Sequence, residues 1–292
     1  MTAALDELVK LLDLEPIEVN IFRGSSPDER RQRVFGGQVA GQALVAAGRT
    51  VERGRVHSLH AYFLRPGDPT VPILYDVDRI RDGRSFTTRR VVAIQHGRAI
   101  FNLSASFHVD EQGFDHQLPM PDTTDPDELP TFEERMRPYA EKMGDWYTRP
   151  RPFDQRYVAD PLRAAPHKGP REPHQQVWLR ADGSLDDDLL LHACMVAYAS
   201  DMTLLDSILM PHQRAWDDPG VMMASLDHAM WFHRPVRADE WFLYDQHSPT
   251  ATGGRGLAMG HIFTRDGRLA VSVVQEGLVR LVDPERAKRP GS

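Results

Sequence analysis

The stretch HSLHAYFLRPGDPTVPILYDVDRIRDGRSFTTRRVVAIQHGRAIFNLSASFH, residues 57–108, returns 169 to 171 residues later as LDHAMWFHRPVRADEWFLYDQHSPTATGGRGLAMGHIFTRDGRLAVSVVQEG, residues 226–277. Each copy holds an Arg-Pro (Arg65-Pro66, Arg234-Pro235), then a Leu-Tyr-Asp ending at Asp76 or Asp245. Each then reaches two Gly-Arg pairs, at Gly83 and Gly97 in the first copy and at Gly254 and Gly267 in the second. Landmarks kept in order at one nearly constant spacing mark a tandem duplication. Inside each copy, apolar and β-branched runs are joined by Gly-containing turns, as in VVAIQHGRAIFNLSASF, which predicts antiparallel hairpins.

Each strand set is preceded by a predicted helix. In the first half it is GGQVAGQALVAAGRTV (36–51), apolar at helical spacing; in the second it is DDDLLLHACMVAYASDMTLLDSIL (186–209), whose leading aspartates suit a helix start. A further strand comes before each helix, IEVNIFRG (17–24) and QQVWLRADG (175–183). Each half is thus strand, long helix, then antiparallel strands able to wrap that helix. Residues 111–175 hold 11 of the 22 prolines, a density that neither helix interiors nor inner strands tolerate. This segment reads as a surface connection with one short helix around TFEERMRPYAEKM. The expected division is 1–112, first repeat; 113–172, Pro-rich connection; 173–292, second repeat.

With 35 basic and 42 acidic residues the net charge is −7, which gives no electrostatic reason to expect nucleic acid as a partner. The one cysteine, Cys194, precludes an intrachain disulfide and, inside LLLHACMVAY, reads as a buried structural thiol. The first residues, MTAALDELVKLLDLEP, are acidic and amphipathic, unlike a secretory signal. No apolar run reaches the ~20 residues that span a bilayer, so no stable membrane association is expected. The chain ends RPGS rather than in the peroxisomal Ser-Lys-Leu address. A cytoplasmic location is the expectation.

LDHAMWFHRP (226–235) crowds polar chemistry into ten positions. On a strand, side chains alternate faces, so His228 and His233, five apart, point to opposite sides, and Asp227 diverges from His228. A shared metal ion and an Asp-His relay are both disfavoured, and there is no Cys cluster or His-x-x-Glu-His. No G-x-S-x-G elbow, Walker-type loop or dinucleotide glycine motif occurs. The histidines read as strand residues held by hydrogen bonds to neighbours.

Several segments together carry a resemblance to the acyl-CoA thioesterase II family. They are VFGGQVAGQAL (34–44), HAYFLRPGD (60–68), YDVDRIRDGRSFTTRRVVAIQ (75–95), EPHQQVWLRADG (172–183), YASD (198–201), LDHAMWFHRP and VQEG (274–277), in the family's order along nearly the full length. The resemblance implies an α+β double hotdog fold, two tandem copies of a long helix wrapped by an antiparallel β-sheet. It implies hydrolysis of fatty acyl-CoA to free acid and coenzyme A, by a water held by an aspartate, a hydroxyl residue and a glutamine. These fall on Asp201, Ser225 and Gln275. A relative has threonine at the Ser225 position, so the hydroxyl is kept and the stiffness of a β-branched rotamer is lost. No cofactor and no metal is implied, and a homo-oligomer is expected.

A thioester is already activated, so no covalent nucleophile is required. Asp201 can take a proton from water, an effect worth ~10²–10⁴-fold, while the Gln275 amide and the Ser225 hydroxyl offer donors and acceptors. Taken alone, Asp201 reads as a cap after an apolar helix, and Gln275 and Ser225 as ordinary polar strand residues; Asp206 and Glu276 are the nearest competitors. Gly36-Gly37 reads either as a packing pair or as a helix start with amides open to an oxyanion or phosphate. Two other functions fit the same fold. A hotdog enoyl-CoA hydratase usually pairs its aspartate with a histidine on one helix, and MTLLDSILMPH after Asp201 offers no close one; the other is a catalytically idle acyl-CoA binder. The repeat offset places Val56 opposite Ser225 and Ala105 opposite Gln275, which predicts one working site per chain, its polar groups supplied by the second half.

Overall fold

The computed structural model describes residues 1–27, 33–162, 169, 171–216 and 218–282; the closing RPGS lies outside them. The first half contributes α1 (Ala3–Leu12), the hairpin β1 (Glu15–Glu18) and β2 (Ile21–Gly24), then α2 (Gly36–Gly48). Four strands follow: β3 (Arg55–Phe63), β4 (Ile73–Asp82), β5 (Phe86–Gln95) and β6 (Arg98–His108). Where the sequence predicts one short helix the connection carries several, α3 (Phe132–Met136) and α4 (Ala140–Met143) within TFEERMRPYAEKM and α5 (Asp145–Thr148) just beyond it. It also carries a strand not expected there, β7 (Phe153–Tyr157), in the proline-free run FDQRY. The second half holds β8 (His174–Ala181), α6 (Leu189–Ser200), α7 (Asp206–Leu209), β9 (Val221–Ser225) and β10 (Asp227–Phe232). It ends with β11 (Phe242–Thr252), β12 (Arg255–Thr264) and β13 (Leu269–Leu281).

All of these strands join one antiparallel sheet in the order β1-β2-β4-β5-β6-β3-β10-β13-β12-β11-β8-β7, with β9 also on β13. The order reads as the same sequence of equivalents from either end, so the duplication is visible as a pseudo-twofold between β3 and β10. His60 on β3 pairs with Ala229 on β10, its own counterpart at the 169-residue offset. β7 matches β1, each pairing with the strand that precedes its half's long helix.

The helices occupy the interior because of their composition. Every residue of α2 from Gly37 onward is buried, as expected of a helix apolar nearly all round. Its small side chains let it run beside α6: a Cβ on Gly37 would lie 2.4 Å from the Tyr198 carbonyl oxygen, which is why position 37 holds no side chain. A single apolar cluster joins both helices to the inner faces of both half-sheets. Cys194 is inside it, and burial raises its thiol pKa, as befits a structural residue.

The second long helix differs from expectation. It ends at Ser200 instead of running to Leu209, and residues 201–205 turn before α7. Side chains from the sheet capture the carbonyls that would extend it. The Tyr244 hydroxyl donates to the Ser200 carbonyl at 3.1 Å, and Gln175 Nε2 to the Thr203 carbonyl at 2.8 Å. Gln246 Nε2 further holds the Thr203 hydroxyl at 2.6 Å. The helix stops where the strands need it to, one residue before Asp201.

Candidate active site

Asp201 is the C-cap of α6, at φ −88° and ψ 0°, so its side chain projects from the helix end toward β9 and β13. Ser225, the last residue of β9, pairs with Gly277 on β13; Gln275 lies two residues away on β13 and therefore on the same face. The three residues named from the sequence thus converge. Gln275 Nε2 donates to Asp201 Oδ1 at 2.7 Å, and Ser225 Oγ donates to the same oxygen at 3.4 Å.

The first half supplies a fourth contact. The backbone amide of Gly37, in the first turn of α2, also hydrogen-bonds the Asp201 carboxylate. Phe35, the N-cap, gives α2 no side-chain cap, so that amide is free to do so. A Cβ on Gly36 would sit 2.7 Å from Asp201 Oδ2 and 2.9 Å from the Phe63 ring. The glycines thus act as the packing pair, and the Gly37 amide, rather than standing open to an oxyanion or phosphate, serves the carboxylate of the other repeat.

Burial raises the Asp201 pKa from 3.8 to about 6, opposed by the bonds from Gln275, Gly37 and Ser225 and by the charge of Arg33. Asp201 and Ser225 lie in the wall of a cavity of about 610 Å³, otherwise lined by Val34, Phe35, Phe63, Met202, Leu205, Trp216 and others. Arg33 and Arg65 complete the polar part of its lining. A mostly apolar cavity with a few polar groups in its wall suits an acyl chain whose reactive end must be held. Gln275 is fully buried behind Asp201.

The competing carboxylates have other partners. Asp206 accepts a hydrogen bond from the Trp216 indole, and Glu276 pairs with Arg255 at 2.9 Å. The histidines do diverge: His233 meets the Ser272 hydroxyl at 2.9 Å on the outer surface, while His228 is buried against the Ser200 hydroxyl at 2.8 Å. Sequence reasoning set His228 aside, yet it neighbours Gln275 across β10 and β13, one step from the Ala229–Val274 pair. A signal was present: the repeat has Leu59 where His228 stands and Ala105 where Gln275 stands, a joint change from apolar to polar. Among the described residues no group of three or more His, Cys, Asp or Glu side chains is arranged to hold a metal ion. No described helix is long and apolar enough to cross a membrane.

Residues 150–278 match the family model described as Acyl-CoA thioesterase, and residues 26–108 that described as Acyl-CoA thioesterase N-terminal domain. Mouse acyl-coenzyme A thioesterase 8 is 42% identical, over 94% of this chain and 89% of the relative. Acyl-CoA thioesterase 2 of Haemophilus influenzae is 41% identical, over 96% and 99%. The crystal structure of acyl-CoA thioesterase II TesB2 from Mycobacterium marinum superposes with a TM-score of 0.78 at 48% identity, covering 94% of this chain and 98% of that one. A protein of hot dog fold from Alicyclobacillus acidocaldarius, at 18% identity and a TM-score of 0.76, shares the fold. The architecture is an α+β double hotdog.

Proposed function

This chain belongs to the acyl-CoA thioesterase family, and from that premise we propose that it hydrolyses fatty acyl-CoA with a water held by Asp201, Ser225 and Gln275. The single observation that carries the assignment is the convergence of the Gln275 amide and the Ser225 hydroxyl on one oxygen of Asp201, in the wall of an apolar cavity. Asp201 Oδ2 is the base. It takes a proton as the water oxygen bonds to the thioester carbonyl carbon, and the carbonyl π electrons move to oxygen. Ser225 Oγ, in the same wall, orients the water through its lone pairs, while Gln275, buried behind Asp201, holds Oδ1 so that Oδ2 faces the water. When the carbonyl re-forms, the C–S bond breaks and the departing thiolate takes the proton from Asp201. The products are a free acid and coenzyme A.

The test is thiol release from palmitoyl-CoA, read beside the ultraviolet absorbance of an enoyl-CoA. Release without loss of the enoyl chromophore supports hydrolysis; chromophore loss without thiol favours hydration, and neither favours an idle binder. Turnover is expected to fall as pH drops through about 6, because only the ionised Asp201 accepts a proton. A profile flat from pH 5 to 8 would remove Asp201 from the role.

Ser225→Ala is expected to cost about 10-fold in kcat, roughly one lost hydrogen bond, since Asp201 and Gln275 remain. Ser225→Thr is expected to match or exceed the parent, because the hydroxyl stays and the rotamer stiffens. Steady-state kinetics of the pair decide this; a Thr variant as slow as the Ala variant would show that the hydroxyl is not what matters.

We further place the chain in the cytoplasm, in keeping with its lone buried thiol, and as a homo-oligomer. The exposed Tyr62, Leu64, Ile80 and Phe86 offer apolar surface for the latter, and sedimentation would measure it. The repeat boundaries we place at residues 112 and 172, to be checked by limited proteolysis.

A further inference from the structure

We propose that His228, backed by Ser200, is the positioning residue that holds the Gln275 carboxamide with its NH₂ toward Asp201. The inference rests on Asp201 being the base, and it concerns a side chain that touches neither cavity nor substrate.

The two ends of a carboxamide have nearly the same shape and opposite hydrogen-bonding character. An ionised Asp201 needs the NH₂ end; the carbonyl end would set lone pairs against a carboxylate. Something must therefore distinguish the ends from behind. Gln275 Oε1 is buried and meets no partner in full hydrogen-bond geometry, and the same holds for His228 Nδ1. These atoms belong to side chains that are cross-strand neighbours on β10 and β13. The carboxamide also acts on the imidazole, raising its pKa against the burial that depresses it to about 4. His228 is thus neutral at working pH, with one nitrogen a donor and the other an acceptor.

Ser200 sets which nitrogen is which. Its hydroxyl has one hydrogen and two strong acceptors in reach, the Ala197 carbonyl at 2.9 Å and His228 Nε2 at 2.8 Å, with the weaker Met230 Sδ at 3.5 Å. When the hydrogen goes to Nε2, the proton of the imidazole sits on Nδ1 and faces Gln275 Oε1, so the NH₂ faces Asp201. When it goes to Ala197, Nε2–H donates to Oγ and Nδ1 becomes an acceptor. The carboxamide then prefers the turned orientation, and its carbonyl meets Asp201, which suits only the protonated acid. The chain Ser200–His228–Gln275–Asp201 therefore runs in one direction when the base is ready and in the other when it carries a proton.

The repeat supplies an independent argument. In the first half the counterparts are Leu59 and Ala105, both fully buried. Where the glutamine is absent, the imidazole is absent too, so the fold does not need a histidine at this strand position. A buried imidazole costs free energy that a leucine does not, and the second half bears that cost beside Gln275. The other charged or titratable groups facing Asp201 are Arg33, ahead of α2, and Tyr244 on β11, whose own pKa is raised first by burial and then by the Asp201 charge.

The experiment compares His228→Leu, His228→Asn and Ser200→Ala with the parent and with Asp201→Asn, measuring kcat, KM, Tm and the acid limb of the pH profile. His228→Leu installs the counterpart's residue and is expected to lower kcat ~10-fold or more with KM within about twofold. Its acid limb should move up by about half a pH unit or more, because a loosened amide stabilises the ionised carboxylate less. His228→Asn can still present an N–H near the Nδ1 position, and should recover most of the rate and return the limb. Ser200→Ala should fall between them. Parental kcat and acid limb in His228→Leu would overturn the proposal. So would an Asn variant as slow as the Leu variant with the limb unmoved, the mark of a merely structural role. Should the Leu variant fail to fold, the Asn and Ser200→Ala variants decide by the same limb. An active Asp201→Asn would overturn the base assignment instead, so the two failures are distinguishable.

Discussion

Asp201→Asn is expected to lower kcat by about 10²-fold or more while KM stays near the parental value. The substitution keeps the shape of the side chain and removes its capacity to take a proton. Three donors point at this carboxylate: Gln275 Nε2, Ser225 Oγ and the Gly37 amide. An asparagine can satisfy them only through its one carbonyl oxygen. The fold should nevertheless persist, and the pKa gives the reason. In the folded protein the carboxyl titrates near 6 rather than 3.8, so ionising it opposes folding, and this cost grows as pH rises from 3.8 through 6. The amide cannot ionise. The variant's Tm should accordingly gain on the parent's between pH 5 and pH 7.5, with the lost hydrogen bonds offsetting part of the gain. Circular dichroism melts at the two pH values, run beside the kinetics, separate a missing base from a misfolded one. Near-parental turnover would move the base elsewhere, with Asp206 or Glu276 next to test.

The repeat was legible because strands keep register. Most residues on β3 to β6 have a cross-strand partner, with only short bulges between, so duplicated strands hold their offset of about 170 residues even as side chains change. The end of α6 was not legible, because it is decided at a distance. Nothing in LLLHACMVAYASDMTLL says that Tyr244 and Gln175 will take the carbonyls of Ser200 and Thr203. β7 was hidden by composition: its five residues sit between prolines at 150, 152 and 161, and its pairing partner lies in the next segment. Asp201, Ser225 and Gln275 were named through resemblance to a family, and single-residue chemistry would not have chosen them. His228 shows the limit of face-alternation arguments. They correctly separated it from His233, but they are silent about the neighbouring strand, where Gln275 sits.

The Asp201→Asn, Gln275→Ala double variant is expected to lose about 10²-fold or more in turnover, falling about as far as Asp201→Asn alone. Gln275 acts on Oδ1 of the same carboxylate, and residues acting as a unit do not add. The stronger consequence concerns the pseudo-twofold. The structure has a second cavity, of about 540 Å³, related to the first through the repeat: Val56, Phe232, Arg234 and Pro235 line it where Ser225, Phe63, Arg65 and Pro66 line the other. Room is therefore not what separates the two; chemistry is. Val56 has no hydroxyl, and Ala105 stands where Gln275 would be. The helix start differs as well. At α6 the Asp188 side chain accepts from the Leu190 amide at 2.8 Å, occupying a donor that α2 offers to Asp201. An independent first-half site would leave about half the activity in any second-half variant, so a loss of about two orders of magnitude excludes it. Titration gives a second measure: a tight-binding, non-hydrolysable acyl-CoA analogue should abolish turnover at one equivalent per chain. Activity that survives the double change, or that declines linearly to two equivalents, would mean that Val56 and Ala105 do not disarm the first half.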